Sequence, residues 1–266
     1  MSEPRHLHRS AELKGATIDA SDLGGATVTG SDLRGVTVRE SYLDGLRIVG
    51  SVLGRIEISS FAGDPAEVVV EGVGVWQLVS DVLDQRHPER VQLRAVRTAD
   101  DHRAMWATVE RLWEELYAEA ERLPDDVRRT RVAGEWSLVE TVRHLVFAVD
   151  GWLGRMLRGT EQAYHPAGIP PTDFPAEHWT TIGLDPAADP TWEEAVEVLR
   201  GRQHDVRAEL ASLTDEQLAE SRTIAIAPPV WGEETATVAQ CFGVMQREHV
   251  DHLRYARRDL ATLRGT

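Results

Sequence analysis

From Leu13 to Ile58 an aliphatic residue stands at every fifth position: Leu13, Ile18, Leu23, Val28, Leu33, Val38, Leu43, Ile48, Leu53 and Ile58. Ten hits without a miss mark an internal repeat. Two residues before each stand Ala11, Ala16, Ser21, Ala26, Ser31, Val36, Ser41, Leu46, Ser51 and Ile56, mostly small early in the series and bulkier later. Stacked repeats bury their faces only against their neighbours, so a stack this short needs a cap or a docking partner.

This ladder resembles the pentapeptide-repeat family. The resemblance implies a right-handed, four-sided β-solenoid in which the central aliphatic residues stack inside and the preceding small residues also point inward. The later bulky residues depart from the family pattern. The stretch that follows, "EVVVEGVGVWQLV", reads as one or two further strands passing into a short helix that ends at "RHPER", with Pro88 as its stop. It is the expected capping junction.

Beyond about residue 100 the period becomes helical, and four long amphipathic segments are predicted. The first is "DDHRAMWATVERLWEELYAEAERL". The second opens at Ser137 with Glu140 three residues on, the third at Thr191 with Glu194, and the fourth near Thr237 with Gln240, each a capping-box spacing. Four such helices suggest a bundle. The proline-rich connection over 159–190 is too long for a tight turn and is expected to cross the bundle or cover one end as a lid.

Composition narrows the function classes. The 44 acidic and 29 basic residues give a net charge of −15, which repels phosphate backbones and anionic membranes. The apolar runs are short and broken by charge, so neither a membrane span nor a secretory signal is expected, and the cytoplasm is the expected compartment. A single cysteine, Cys241, excludes an intramolecular disulfide framework and a multi-cysteine zinc ribbon. Any metal must therefore rely on histidine and carboxylate.

The fourth helix supplies both. Val238, Cys241, Met245, Glu248, His252, Tyr255 and Asp259 alternate threes and fours and share one face, which starts apolar and turns into ligand chemistry midway. A second stripe through Phe242, His249, Ala256, Leu260 and Leu263 lies beside it, so periodicity alone leaves open whether Glu248 or His249 partners His252. The second helix has a core stripe of Leu138, Val142, Leu145, Val149, Trp152 and Met156, flanked by His144. Ala148 and Gly151, on the line of His144, are expected to leave space above its imidazole. One His from this helix and a Glu/His pair from the fourth would make a His₂Glu set with an open position, the arrangement of catalytic rather than structural divalent sites.

"GEWSLVETVRHLVFAVDGW" and "CFGVMQREHVDHLRYARRDL" together resemble the DinB-like superfamily, in particular the actinobacterial branch of mycothiol-dependent maleylpyruvate isomerases and mycothiol S-transferases. The resemblance spans about 100–264. It implies a four-helix bundle with metal ligands His144, Glu248 and His252, and it leaves His249 as a neighbour that does not bind the metal. The expected architecture is multidomain α+β: a solenoid over 1–63, a capping junction over 64–99 and an all-α, DinB-like bundle over 100–266.

Among the remaining candidates, Cys241 reads as a small core residue. His249 reads as a surface group or a neighbour of the ligands. Asp150 and Arg258 are either partners that orient ligands or solvated charges. His102, His165, His178 and His204 are expected not to bind metal. Trp136, Trp152, Trp179 and Tyr255 are candidates to line a substrate cavity, against the ordinary expectation that bundle aromatics are core.

The functional expectation is a divalent-metal-dependent transferase or isomerase whose metal activates a small thiol as thiolate toward a small electrophile. Zinc is favoured, with nickel or manganese as alternatives. Mycothiol as co-substrate is implied only by the branch resemblance. Three alternatives stand beside it: a metal-water hydrolase, a metal-holding bundle without catalysis, and a pentapeptide-type interaction protein that mimics DNA to engage gyrase. Against the last, residues 11–60 carry seven acidic and five basic groups, far from the dense acidic surface of a duplex mimic. The repeat, lacking His and Cys, is expected to act as a scaffold or homodimerisation surface.

Overall fold

The computed structural model describes residues 14–18, 21–39, 41–43, 45–53, 56–58 and 67–264. The chain divides into two compact units, Met1–Ser51 and Val52–Thr266. The expected solenoid boundary at 63 and the first ladder residue, Leu13, lie outside the described residues.

In the first unit the backbone turns at ten-residue intervals. The amides of Ala26, Val36 and Leu46 donate to the carbonyls of Leu23, Leu33 and Leu43. Each turn carries glycine at its third position with positive φ, as at Gly25 (74°) and Gly35 (75°), a conformation a Cβ would strain. Among the described residues the unit contains no strand, so no solenoid is shown. The ladder residues from Ile18 to Leu53 are between 48% and 63% exposed, not enclosed as a closed coil would leave them.

Among the described residues the first elements of the second unit are a short antiparallel hairpin, β1 (Val69–Val70) and β2 (Val73–Gly74), and then two helices, α1 (Trp76–Arg86) and α2 (Pro88–Ala95). Pro88 ends one helix as expected, but it also opens the next. At the first helical position its missing N–H costs nothing, and its fixed φ suits the turn.

The bundle follows: α3 (Ala99–Ala120), a short α4 (Asp125–Arg129), α5 (Leu138–Val149), α6 (Trp192–Ser212), a short α7 (Asp215–Leu218), the hairpin β3 (Ser221–Ala225) and β4 (Glu233–Thr237), and α8 (Val238–Arg264). This region is mostly helical, and both sheets are small. The four predicted helices are α3, α5, α6 and α8. Reciprocal capping boxes open α5 at Ser137/Glu140 and α6 at Thr191/Glu194. Thr237 and Gln240 exchange the same two bonds at α8. Trp106, Trp113, Leu116, Leu145, Leu199, Phe242 and Leu253 interlock at the centre, each almost wholly buried.

Two expectations on the second helix need correction. After Val149 it continues as a π-helix over Asp150–Leu157. Within it Leu153 is buried where Trp152 was expected and Trp152 is half-buried, while Met156 is buried as expected. The space expected over Gly151 is filled: a Cβ there would meet Ile226 Cγ2 at 3.2 Å and the Tyr164 hydroxyl at 3.3 Å. These neighbours come from the 159–190 connection and from the residue after β3. The connection is itself packed, with Tyr164, Phe174 and Leu184 forming a second apolar cluster with Phe147, Met156, Ile226, Ala236 and Cys241.

Candidate metal centre

α8 carries its core and its ligands on adjacent faces. Phe242, Met245, His249, Leu253, Ala256 and Leu260 are buried, whereas Glu248, His252, Tyr255 and Asp259 are half-buried. The two stripes of the sequence are thus resolved into a packing face and a chemical face. α5 brings His144 to the chemical face.

His144, Glu248 and His252 each offer one ligand atom, and these atoms all lie within 4.8 Å of one another. Glu248 Oε2 stands 3.5 Å from His144 Nε2 and 3.2 Å from His252 Nε2. Two donors about 2.1 Å from one tetrahedral ion lie roughly 3.4 Å apart, so these gaps suit ligands of a common divalent cation.

The hydrogen bonds around His144 sharpen this fit. Its Nδ1 lies 3.1 Å from the carbonyl of Ile169. A carbonyl only accepts, so Nδ1 carries the hydrogen, and a neutral ring leaves a bare lone pair on Nε2. Burial lowers the pKa of His144 and favours that neutral ring, against the pull of Glu248. Burial also disfavours ionised Glu248, but whenever the metal-free histidines carry protons on Nε2 their hydrogen bonds outweigh it and hold the carboxyl below the ordinary carboxylate range. A lone pair facing a carboxylate oxygen is repulsive unless a cation sits between them. The donor set fits a divalent metal.

An aromatic wall closes one side of the triad. The Trp136 ring lies 4.4 Å from that of His144 and 5.9 Å from that of His252, and Tyr255 meets His252 edge-on at 5.9 Å. The anchoring carbonyl of Ile169 belongs to the 159–190 connection, which is tied down at Asp150 by the His165 amide (2.7 Å) and at the Arg143 carbonyl by the Ile169 amide (3.2 Å). Periodicity carries no signal for this backbone partner, because an acceptor carbonyl can come from any residue type.

The other candidates sit elsewhere. His249 is fully buried, not at the surface: its Nδ1 donates to the Met245 carbonyl at 2.7 Å, and its ring packs edge-on against Trp106 and Trp113. Burial pushes its pKa down to about 4. Asp150 is buried and bound to Arg202 and the His165 amide. Arg258 pairs with Glu135 and Asp259. Neither of these two bonds to the triad. Cys241 is a core residue whose thiol is pushed up to about 12 by burial, so it stays protonated. His102 bonds Gln246 in the core, His165 accepts from the Ala167 amide, and His204 bonds Arg207.

The DinB superfamily profile matches residues 108–256, more than half of the chain, and the match takes in both helices that carry the triad. The chain belongs to the DinB superfamily. This superfamily includes metal-dependent enzymes, and the triad occupies the bundle face between two of the DinB-domain helices. No curated protein and no solved structure shows significant similarity to the chain. Among the described residues no helix is long and apolar enough to cross a membrane.

Proposed function

We propose that this DinB-superfamily protein is a divalent-metal-dependent enzyme that uses a small thiol to attack a small electrophile, as a transferase or isomerase. The observation that carries the reading is the convergence of Nε2 of His144, Oε2 of Glu248 and Nε2 of His252, three donors that leave a fourth position open. When bound, the metal supplies Lewis acidity that favours the thiolate form of the incoming thiol. Zinc is the ion we favour for two imidazoles and a carboxylate, ahead of nickel or manganese.

The protein's part is to hold and shield. The Ile169 carbonyl fixes the tautomer and ring orientation of His144. Glu248 brings the negative charge that offsets the cation. Trp136 excludes water from the His144 and His252 side. We place substrate entry beneath the 159–190 connection and propose mycothiol as the thiol.

For the remaining chain we propose a short four-sided solenoid over 1–63, a capping junction over 64–99 and the bundle over 100–266, with the solenoid serving as a scaffold or homodimerisation surface. The ten-residue turn spacing supports the repeat, and the net charge of −15 argues against nucleic-acid and membrane partners. We propose the cytoplasm as the compartment. The test is to titrate metal-loaded protein with mycothiol, and separately with other low-molecular-weight thiols, by calorimetry, alongside an electrophile-conjugation assay. Saturable binding that is lost in His144→Ala supports the transferase. No binding of any thiol favours the hydrolytic or non-catalytic reading.

A further inference from the structure

A cleft of about 390 Å³ lies beside the triad, lined among others by Trp136, Arg143, Ile169, Phe174 and Trp179. Its volume falls in the range of small-molecule sites. It shares two walls with the triad: Trp136, whose ring lies against those of His144 and His252, and Ile169, whose carbonyl holds His144. Half of the lining is aromatic or proline, with three charged side chains: Arg131, Glu140 and Arg143.

Two of those charges are spent on each other. Arg131 pairs with Glu140, whose Oε2 also accepts from the Ser137 hydroxyl (2.8 Å) and amide (2.9 Å). Arg143 is different. It is half-buried, its Nε donates to the Ala167 carbonyl at 2.7 Å, and among the described residues no carboxylate lies within ion-pair distance of it. The bond at Nε fixes the plane of the guanidinium while leaving the terminal nitrogens as donors. A half-buried cation without an ion-pair partner thus lines a partly dry cleft. An anion is the group that would compensate it.

We propose that this cleft is the substrate site and that Arg143 binds a carboxylate of a small molecule whose apolar body lies against Trp136 and Trp179. A planar guanidinium matches a carboxylate with two parallel hydrogen bonds. A carboxylate is favoured over a phosphate because only one cation is uncommitted and Glu140 on the same wall opposes a dianion. Since Trp136 and Ile169 line the cleft and also touch the ligands, a carboxylate held at Arg143 would leave the rest of the molecule beside the triad. The assignment of this ligand as substrate rests on the proposed function, but its binding does not.

The experiment is a ligand-observed NMR titration of the full chain with phenylacetate, hexanoate and cinnamate, with their primary amides, and with phenyl phosphate. Metal-loaded and chelator-treated protein are compared, and far-UV circular dichroism checks that every sample is folded. Carboxylates should bind saturably in both metal states, and the amides should bind at least about tenfold more weakly, the scale of a hydrogen bond to a charged group. Arg143→Gln should lose about 10- to 100-fold in affinity, Arg143→Lys should recover part of it, and the remote Arg111→Gln should change nothing. Three results would overturn the assignment: no carboxylate binds, the amides or phenyl phosphate bind as well or better, or Arg143→Gln binds as wild type. Binding confined to metal-loaded protein would place the carboxylate on the metal and overturn it too. Failure here leaves the thiol titration intact, because that experiment reads the metal position and not the cleft.

Discussion

His144 gives its Nδ1 hydrogen to the Ile169 carbonyl, 3.1 Å away, and so turns a bare nitrogen toward Glu248 Oε2 at 3.5 Å. That relationship makes the triad a place for a cation. A loop carbonyl, a bundle helix and the last helix are joined through one imidazole, so loading the site should be felt by the whole domain.

Metal binding should therefore stabilise the fold. An ion that binds only the folded state adds about 2.7 kcal/mol at a hundred times its dissociation constant. For a unit of this size that corresponds to a rise in Tm of roughly 5–11 °C. Thermal unfolding of chelator-treated protein with and without added zinc measures it. Glu248→Gln and His252→Ala should show little of the rise.

Replacing His249 separates a ligand from a neighbour. His249→Ala leaves a cavity between Trp106 and Trp113 and should cost about 2–4 kcal/mol, as large-to-small core changes do. Metal stoichiometry should be unchanged, because the ring faces the core and its Nδ1 is bound to Met245. Denaturant titration and metal analysis of the same sample give both answers, and loss of metal from a folded variant would move His249 into the ligand set.

Asp150 should make stability depend on pH. Burial pushes its pKa up to about 6, despite the opposing pull of Arg202 and the His165 amide. Between the ordinary value of 3.8 and about 6 the folded state keeps a proton that the unfolded chain has released, so the stability Asp150 contributes is full below 3.8 and is lost as pH rises through 6. The advantage of Asp150→Asn over wild type should grow from pH 4 to pH 6.5 by about 1–3 kcal/mol, each pKa unit being worth about 1.4. Denaturant unfolding at a series of pH values checks it, and a constant difference would show that Asp150 is not buried as an ion.

What was legible in the sequence was whatever a helix repeats. The capping boxes at Ser137, Thr191 and Thr237 fixed three helix starts, and the spacing of four between Glu248 and His252 placed two ligands on one face. The π-helix at Asp150–Leu157 was hidden, because the same residues also satisfy an α-helical stripe through Trp152. The burial of His249 was hidden for a related reason: the two stripes of α8 lie side by side, and only packing against Trp106 and Trp113 decides which faces the core. The hairpin of β3 and β4 is short and mostly polar, "SRTIA" against "EETAT", too weak an alternation to stand out. The N-terminal ladder is plain as a period, yet its residues remain half-exposed, since a repeat marks a stacking rule without supplying what covers the stack.

The most direct measurement is elemental analysis of the full chain purified without chelator or metal-binding tag, beside His144→Ala, Glu248→Gln and His252→Ala prepared identically. Wild type should carry close to one divalent ion per chain. Each variant, folded by circular dichroism, should carry far less, since even partners that only support a metal's ligands cost 10- to 100-fold in affinity when removed. A wild-type protein that is free of metal and takes up none on addition, or variants that hold as much as wild type, would contradict the metal centre.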